Sequence, residues 1–221
     1  MNSFAFVFDM DGVIVDTNPY HKITLRQFAE KYGYSLSEED LIKKIYGRTN
    51  NEWIPNLFGR TLTPEELYNY GEEKEQLFRD LYKKDIKPLK GLKEFLDQMD
   101  ELKIARAIGT SAPKSNLDFI LDGLNFRKYF PITLNQSDVT KGKPDPEVYI
   151  KCAQRLNFAP ANCVVFEDSL SGIESARAAG CKVVGVATTH TAQELGTAIV
   201  INDFSELSPA KIIQKFQSQV S

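Results

Sequence analysis

Two aspartates spaced two apart, Asp9 and Asp11, stand where the run Phe4-Ala-Phe-Val-Phe8 breaks off toward Gly12. Carboxylates this close repel each other unless a cation compensates them, and a divalent metal is the usual compensator. Alternation along an extended segment sends both to one side of the chain, flanking one reacting atom. A carboxylate beside a hard cation, with a second carboxyl to pass protons, can attack a phosphoryl group. The same residues also read as a strand end closed by turn-forming aspartates, and this stretch alone leaves both readings open. Gly12 supplies the sharp turn that either reading needs.

Three further polar clusters carry matching chemistry. Thr110-Ser111 offers a hydroxyl and backbone N–H groups that begin a helix, which suits a phosphate oxygen. Lys143, in Lys141-Gly-Lys-Pro-Asp-Pro146, brings a positive charge to offset carboxylates and phosphate. Glu167-Asp168 offers hard oxygen ligands of the kind Mg²⁺ prefers. Singly, each has a plainer reading: a capping turn at Thr110, a solvated surface charge at Lys143, a helix start at Asp168. Jointly they meet the needs of phosphoryl transfer, where positioning and electrostatics do most of the work.

The elements that must bring these clusters together follow from periodicity. Strands are expected at Phe4–Phe8, Ile104–Ile108, Phe130–Leu134, Cys163–Phe166, Lys182–Val186 and Ala198–Ile201, with helices over Gly91–Leu102, Glu147–Leu156, Leu170–Ala179 and Pro209–Phe216 between them. A further helix follows Pro113 and carries Leu117, Ile120 and Leu121. Strands alternating with helices predict an α/β fold, a Rossmann-like parallel sheet with helices on both faces. In such a sheet ligands bind beyond the carboxyl ends of the strands, so the four clusters share one edge. From Pro19 to about Lys87 the chain is charged and helix-forming, with cap signals at Ser37 and at Thr63-Pro64-Glu65-Glu66. This block reads as an inserted helical bundle. The expected domains are residues 1–17 with 88–221 as the α/β core, and 18–87 as the helical insert.

The 221 residues are 42% hydrophobic and 26% charged, ordinary for a soluble globular protein. A net charge of −3 with no basic stripe argues against nucleic acid as a partner. Three scattered cysteines fit a reducing compartment and lack metal-ligand spacing. With no signal-like segment and no apolar run of about 20 residues, a cytoplasmic protein without membrane contact is expected. Nothing in the sequence requires more than a monomer.

With these clusters in place the chain resembles the haloacid dehalogenase (HAD) superfamily, specifically its β-phosphoglucomutase-like phosphatases. The resemblance rests on Phe8-Asp-Met-Asp-Gly-Val13, Gly109-Thr-Ser-Ala-Pro113, Lys141-Gly-Lys-Pro-Asp-Pro-Glu147, Phe166-Glu-Asp-Ser-Leu-Ser-Gly-Ile173 and Glu174-Ser-Ala-Arg-Ala-Ala-Gly180, and spans essentially the whole chain. It implies that Asp9 is the nucleophile that becomes an aspartyl-phosphate. Asp11 would be the general acid/base and would meet Mg²⁺ through its backbone carbonyl. Asp168 would be a side-chain metal ligand assisted by Glu167, with Asp9 completing the set. Thr110, Ser111, Ala112 and Lys143 would hold the phosphate, and the helical insert would be a mobile cap. The aspartate at position 11 argues against dehalogenation.

Thr17 and His21 stand where the β-phosphoglucomutases keep a threonine and a histidine in their hinge. Arg48, Asn51 and Lys74 are the expected substrate contacts from the cap. Mutases carry a lysine just before the cap-loop glycine and an arginine three after it, whereas Tyr46 and Asn50 occupy those places around Gly47. The resulting expectation is a Mg²⁺-dependent phosphatase of a small phosphorylated metabolite, a sugar phosphate above all. The alternatives are a β-phosphoglucomutase and a binder that has kept the fold but lost turnover.

Overall fold

The computed structural model describes residues 4–41 and 49–218. Among these residues six strands form one all-parallel sheet in the order β3-β2-β1-β4-β5-β6. They are β1 (Ala5–Phe8), β2 (Arg106–Gly109), β3 (Ile132–Leu134), β4 (Cys163–Glu167), β5 (Lys182–Val186) and β6 (Ile199–Ile201). From β1 the chain runs outward through β2 and β3, then returns to pair β4 with β1 on its other side. Strand order therefore reverses between β1 and β4, and their carboxyl ends flank the crevice where open α/β sheets bind ligands.

The pleat explains the composition of β1. Ala5 and Val7 point to one face, into a core with Ala107, Val165, Tyr149, Cys152 and Ile173. That face is covered by α7 (Glu147–Leu156) and α8 (Leu170–Ala178). Phe6 and Phe8 point to the other face, where they meet Phe95, Phe166 and Phe204 at ring-centroid distances of 4.6–6.3 Å. There α5 (Leu92–Glu101) packs, with α10 (Pro209–Gln217) against it. A strand buried on both sides has no polar alternation to show, and all four residues of β1 are fully buried.

By contact density the chain divides into two compact units, one reaching Asp16 and resuming at Ile86, the other Thr17–Asp85. The second unit contains α1 (Asn18–Lys31), the single turn α2 (Glu38–Asp40), α3 (Asn50–Phe58) and α4 (Pro64–Tyr82). Capping explains where its helices start. Thr63 accepts from the Glu66 N–H while Glu66 reaches back to the Thr63 N–H at 2.8 Å, with Pro64 in the first turn. Thr49 and Glu52 form the same reciprocal pair at the start of α3. Leu25, Phe28, Leu41, Trp53 and Ile54 form its core. No helix among the described residues is long and apolar enough to cross a membrane.

The α3 helix is the main departure from the sequence reading, which gave Asn50 to the cap loop around Gly47 and assigned no helix after it; residues 42–48 of that loop lie outside the described residues. Pro55 within the helix and the polar Asn50-Asn51-Glu52 start hide its pattern. What stabilises it is burial of Trp53 and Ile54 against α1 and α4, a tertiary contribution.

Candidate active site

β1 carries Asp9 to the carboxyl edge of the sheet, where the Asp9 N–H donates to the Phe166 carbonyl at 3.0 Å and extends the ladder by one residue. There the extended geometry stops. The N–H groups of Val13, Ile14 and Val15 all converge on the Met10 carbonyl, and Gly12 turns the chain with a φ of +78°. The pairing of Asp9 with Asp11 thus comes from this turn, not from the strand alternation expected of it. Half-buried Asp11 stands close enough for its charge to raise the carboxyls of Asp9 and Asp168.

Gly12 cannot be replaced without loss at this turn. A Cβ there would lie 2.0 Å from the Asp168 Oδ2, and the left-handed φ adds about 1 kcal/mol of strain for any other residue. Gly12→Ala is expected to cut turnover by roughly tenfold or more through displacement of Asp168. Steady-state kinetics against a thermal melt checks this, with a midpoint falling only a few degrees.

Three carboxylates, those of Asp9, Glu167 and Asp168, offer oxygens that all lie within 4.8 Å of one another, and all three residues are buried. Lys143 answers them from the loop before α7, its Nζ 2.7 Å from Asp9 Oδ1 and 2.5 Å from Glu167 Oε1. The same ammonium lies 4.9 Å from the Tyr149 ring centroid. Burial alone would push Lys143 down, but the charges of Asp9 and Glu167 hold it well above its ordinary value. It is a buried ion-pair partner, not a solvated charge.

The carboxylates differ in their environments. Burial drives Asp9 well above the usual carboxylate range; Lys143 offsets part of this, and the charges of Glu167, Asp168 and Asp11 add to it. Asp168 is raised to about 7, by burial first and by Glu167 next. Glu167 goes the other way: burial opposes its ionisation, but Lys143 and the hydrogen bonds around it hold it below its ordinary value. Its Oε1 accepts from Lys143 and from the Tyr149 hydroxyl at 2.7 Å. Its Oε2 accepts from the Asp168 N–H at 3.0 Å, the Ser169 N–H at 3.1 Å and the Ser169 hydroxyl at 3.0 Å. The reason is alternation along β4, which turns Glu167 inward beneath α8, where a Cβ on Gly172 would collide with its Oε1 at 1.8 Å. Expected as an assisting metal ligand, Glu167 has its oxygens engaged by the lysine and the β4–α8 turn.

Three buried carboxyl groups face one ammonium, so their full ionisation needs more positive charge than Lys143 supplies. Hard oxygen donors with that need fit Mg²⁺, with Asp9 and Asp168 as the carboxylates to hold it.

The phosphate-binding expectations fall on the loop after β2. Thr110 is buried, its N–H donates to the Leu134 carbonyl at 3.0 Å, and its hydroxyl accepts from the Ala112 N–H at 3.0 Å. The cap of α6 (Lys114–Leu124) is Pro113, so Thr110 is not the capping residue. Ser111 is exposed and Ala112 buried beside it.

The expected substrate contacts belong to the helical unit. Thr17 is fully buried at the start of α1. Lys74 is buried, its Nζ 3.1 Å from His21 Nδ1 and 2.9 Å from Glu75 Oε1. His21 stacks on Phe78 with centroids 4.0 Å apart. Burial resists ionisation of Glu75, but Lys74 and His21 outweigh it, with hydrogen bonds from Lys74 and Asn50, and hold the carboxyl at about 2. The asparagine in this network is Asn50, which donates to Glu75 at 3.1 Å and accepts from the Trp53 indole at 2.8 Å. Asn51 is exposed on α3. Arg48 lies outside the described residues.

Sequence reasoning passed over the loop after β5. Thr188 donates to the Gly12 carbonyl at 2.6 Å, Thr189 donates to Asp168 Oδ2, and His190 Nδ1 lies 3.1 Å from the Asp168 carbonyl oxygen. The signal was available, since a polar cluster follows an apolar strand here as it does after β1, β2 and β4.

Known proteins resemble this chain along most of its length. The chain is 37% identical over 187 residues to the phosphorylated carbohydrates phosphatase of Thermotoga maritima, covering 82% of this chain and 84% of that protein. It is 28% identical to the β-phosphoglucomutase of Bacillus subtilis, over 92% of this chain and 91% of that one. The crystal structure of a HAD hydrolase from Entamoeba histolytica, family IA, variant 3, superposes with a TM-score of 0.89 at 30% identity, covering 97% of this chain and 99% of that one. The sequence profile of the haloacid dehalogenase-like hydrolases matches residues 6–186, taking in Asp9, Thr110, Lys143 and Asp168. Fold, converging strand ends and sequence agree, and this enzyme belongs to the haloacid dehalogenase-like hydrolases.

Proposed function

We propose that the protein is a Mg²⁺-dependent phosphatase that hydrolyses a small phosphorylated carbohydrate through an aspartyl-phosphate. The observation that carries this reading is the buried cluster at the β1/β4 crevice, in which Asp9 and Asp168 share one site and Lys143 bridges Asp9 to Glu167. The similarity to a phosphatase of phosphorylated carbohydrates supports the substrate class.

Asp9 attacks phosphorus through a carboxylate oxygen, and the bond to the leaving oxygen breaks as Asp11 gives that oxygen its proton. Asp11 then takes a proton from water, which attacks the aspartyl-phosphate, releases inorganic phosphate and restores the Asp9 carboxylate. Thr110, the Ser111 N–H and Lys143 hold the phosphoryl oxygens. Asp9, Asp168 and the Asp11 carbonyl would hold Mg²⁺, which would supply charge neutralisation at the phosphoryl group.

Residues 17–85 serve as the cap that selects the alcohol part of the substrate. Within it Lys74 is already neutralised by Glu75, which disfavours a role in holding a second phosphate. This weighs against phosphomutase action, which must retain a sugar bisphosphate.

A panel of phosphorylated metabolites assayed for phosphate release tests the reading. Sugar phosphates are expected to lead the panel, with release lost on chelation by EDTA and restored by Mg²⁺. β-Glucose 1-phosphate with a bisphosphate primer is expected to yield phosphate. Robust formation of glucose 6-phosphate makes the protein a mutase, and silence across the panel makes it a binder.

A further inference from the structure

The loop joining β5 to the short helix α9 (Ala192–Leu195) is fixed at both ends. The Ala187 N–H donates to the Ile201 carbonyl at 2.8 Å, and the Thr188 N–H to the Val186 carbonyl at 2.9 Å. At the far end Thr191 and Glu194 form a reciprocal capping box, with the Thr191 N–H 2.8 Å from Glu194 Oε2. Between these anchors three consecutive side chains reach across to the loops after β1 and β4.

Thr189 is exposed, yet its hydroxyl is given to the buried carboxylate of Asp168. A hydroxyl has a single proton to donate, so this bond ties the threonine rotamer to one oxygen of the carboxylate, Oδ2. Thr189 is β-branched and already restricted at χ1, so little further entropy is lost in holding it there. An oxygen of Asp168 lies within 4.8 Å of oxygens of Asp9 and Glu167, and the Thr189 bond helps hold its carboxylate in that place. His190 Nδ1 meets the Asp168 main-chain carbonyl and Thr188 the Gly12 carbonyl, so backbone on both sides of the site is tied to the same loop.

We infer that Thr189 is a positioning residue for the metal site, its hydroxyl orienting the Asp168 carboxylate so that Asp9 and Asp168 bind Mg²⁺ together. This rests on the Mg²⁺-dependent reading above. Partners that hydrogen-bond a ligating carboxylate typically contribute ten- to a hundredfold in metal affinity. Packing contributes little at an exposed threonine, so removing the hydroxyl alone should leave the metal-free fold nearly unchanged.

The test uses the full chain, stripped of metal with EDTA, and follows Mg²⁺ binding by isothermal titration calorimetry. Thr189→Val is expected to raise the Mg²⁺ dissociation constant by roughly tenfold or more, with a metal-free melting midpoint within about 2 °C of the parent. Thr189→Ser, which keeps the hydroxyl, is expected to return affinity to within about threefold of the parent. Thr191→Ala, which removes the neighbouring cap, is expected to lower the midpoint and leave Mg²⁺ affinity alone. The Mg²⁺ concentration for half-maximal hydrolysis of p-nitrophenyl phosphate is expected to move with the calorimetric constant. Thr189→Val binding within about twofold of the parent overturns the inference while the metal reading stands. A parent protein that shows neither Mg²⁺ binding nor Mg²⁺-dependent hydrolysis overturns both.

Discussion

Asp9→Asn is expected to lower turnover by about 10⁴-fold or more while the protein stays folded, with a melting midpoint equal to or above that of the parent. The loss follows because an amide has no anionic oxygen to attack phosphorus. The stability follows from the electrostatics of the metal-free site. Burial and three neighbouring carboxylates push Asp9 well above its ordinary range against the pull of Lys143, so the folded state without metal resists its ionisation. A neutral side chain of the same shape removes that cost, and Lys143 keeps Glu167 as its partner at 2.5 Å. Active sites commonly trade stability for function in this way. Single-turnover phosphate release and a thermal melt, both on chelated protein and with Mg²⁺ restored, check the two halves. Turnover within tenfold of the parent would remove the nucleophile assignment.

Lys143→Ala is expected to do the opposite to the fold. It deletes one ammonium that answers two buried carboxylates, and breaking a buried pair from one side costs about 3–5 kcal/mol. For a chain of this size that corresponds to a midpoint fall of roughly 10 °C. The sign of the pH dependence follows from the two states of Glu167. In the parent its folded pKa lies below the unfolded value of 4.5, so its contribution is present above that pH and is lost as pH falls through the folded pKa. In the variant, burial without the lysine raises both Asp9 and Glu167, so the penalty is largest at alkaline pH and shrinks as protons neutralise them. Melts of parent and variant from pH 5 to pH 8 are expected to diverge as pH rises; parallel curves would show that the lysine is not the counter-charge. Adding Glu167→Gln to Lys143→Ala is expected to recover part of the stability and none of the activity, because the two sites are coupled through one contact.

The two variants separate what Asp9 and Lys143 do. Asp9 is poorly stabilised by the fold and essential to the proposed chemistry. Lys143 serves both, since it neutralises the buried carboxylate of Glu167 and, in the proposed chemistry, holds a phosphoryl oxygen.

The sequence by itself determined the parallel sheet and the edge on which chemistry is placed. Strands buried on both faces leave continuous apolar runs, and a polar residue directly after such a run marks a carboxyl end. Asp9, Thr110 and Asp168 are legible for that reason, and Lys143 by its place in the loop before α7. Local periodicity cannot say what a side chain meets once the chain has folded. That Glu167 turns beneath α8 toward Tyr149 and Ser169, that Asn50 and not Asn51 joins Lys74 and Glu75, that α3 forms despite Pro55, and that Thr189 grips Asp168 across 21 positions of sequence were decided by tertiary packing. Each depends on which element lies opposite, and distance along the chain carries no record of that.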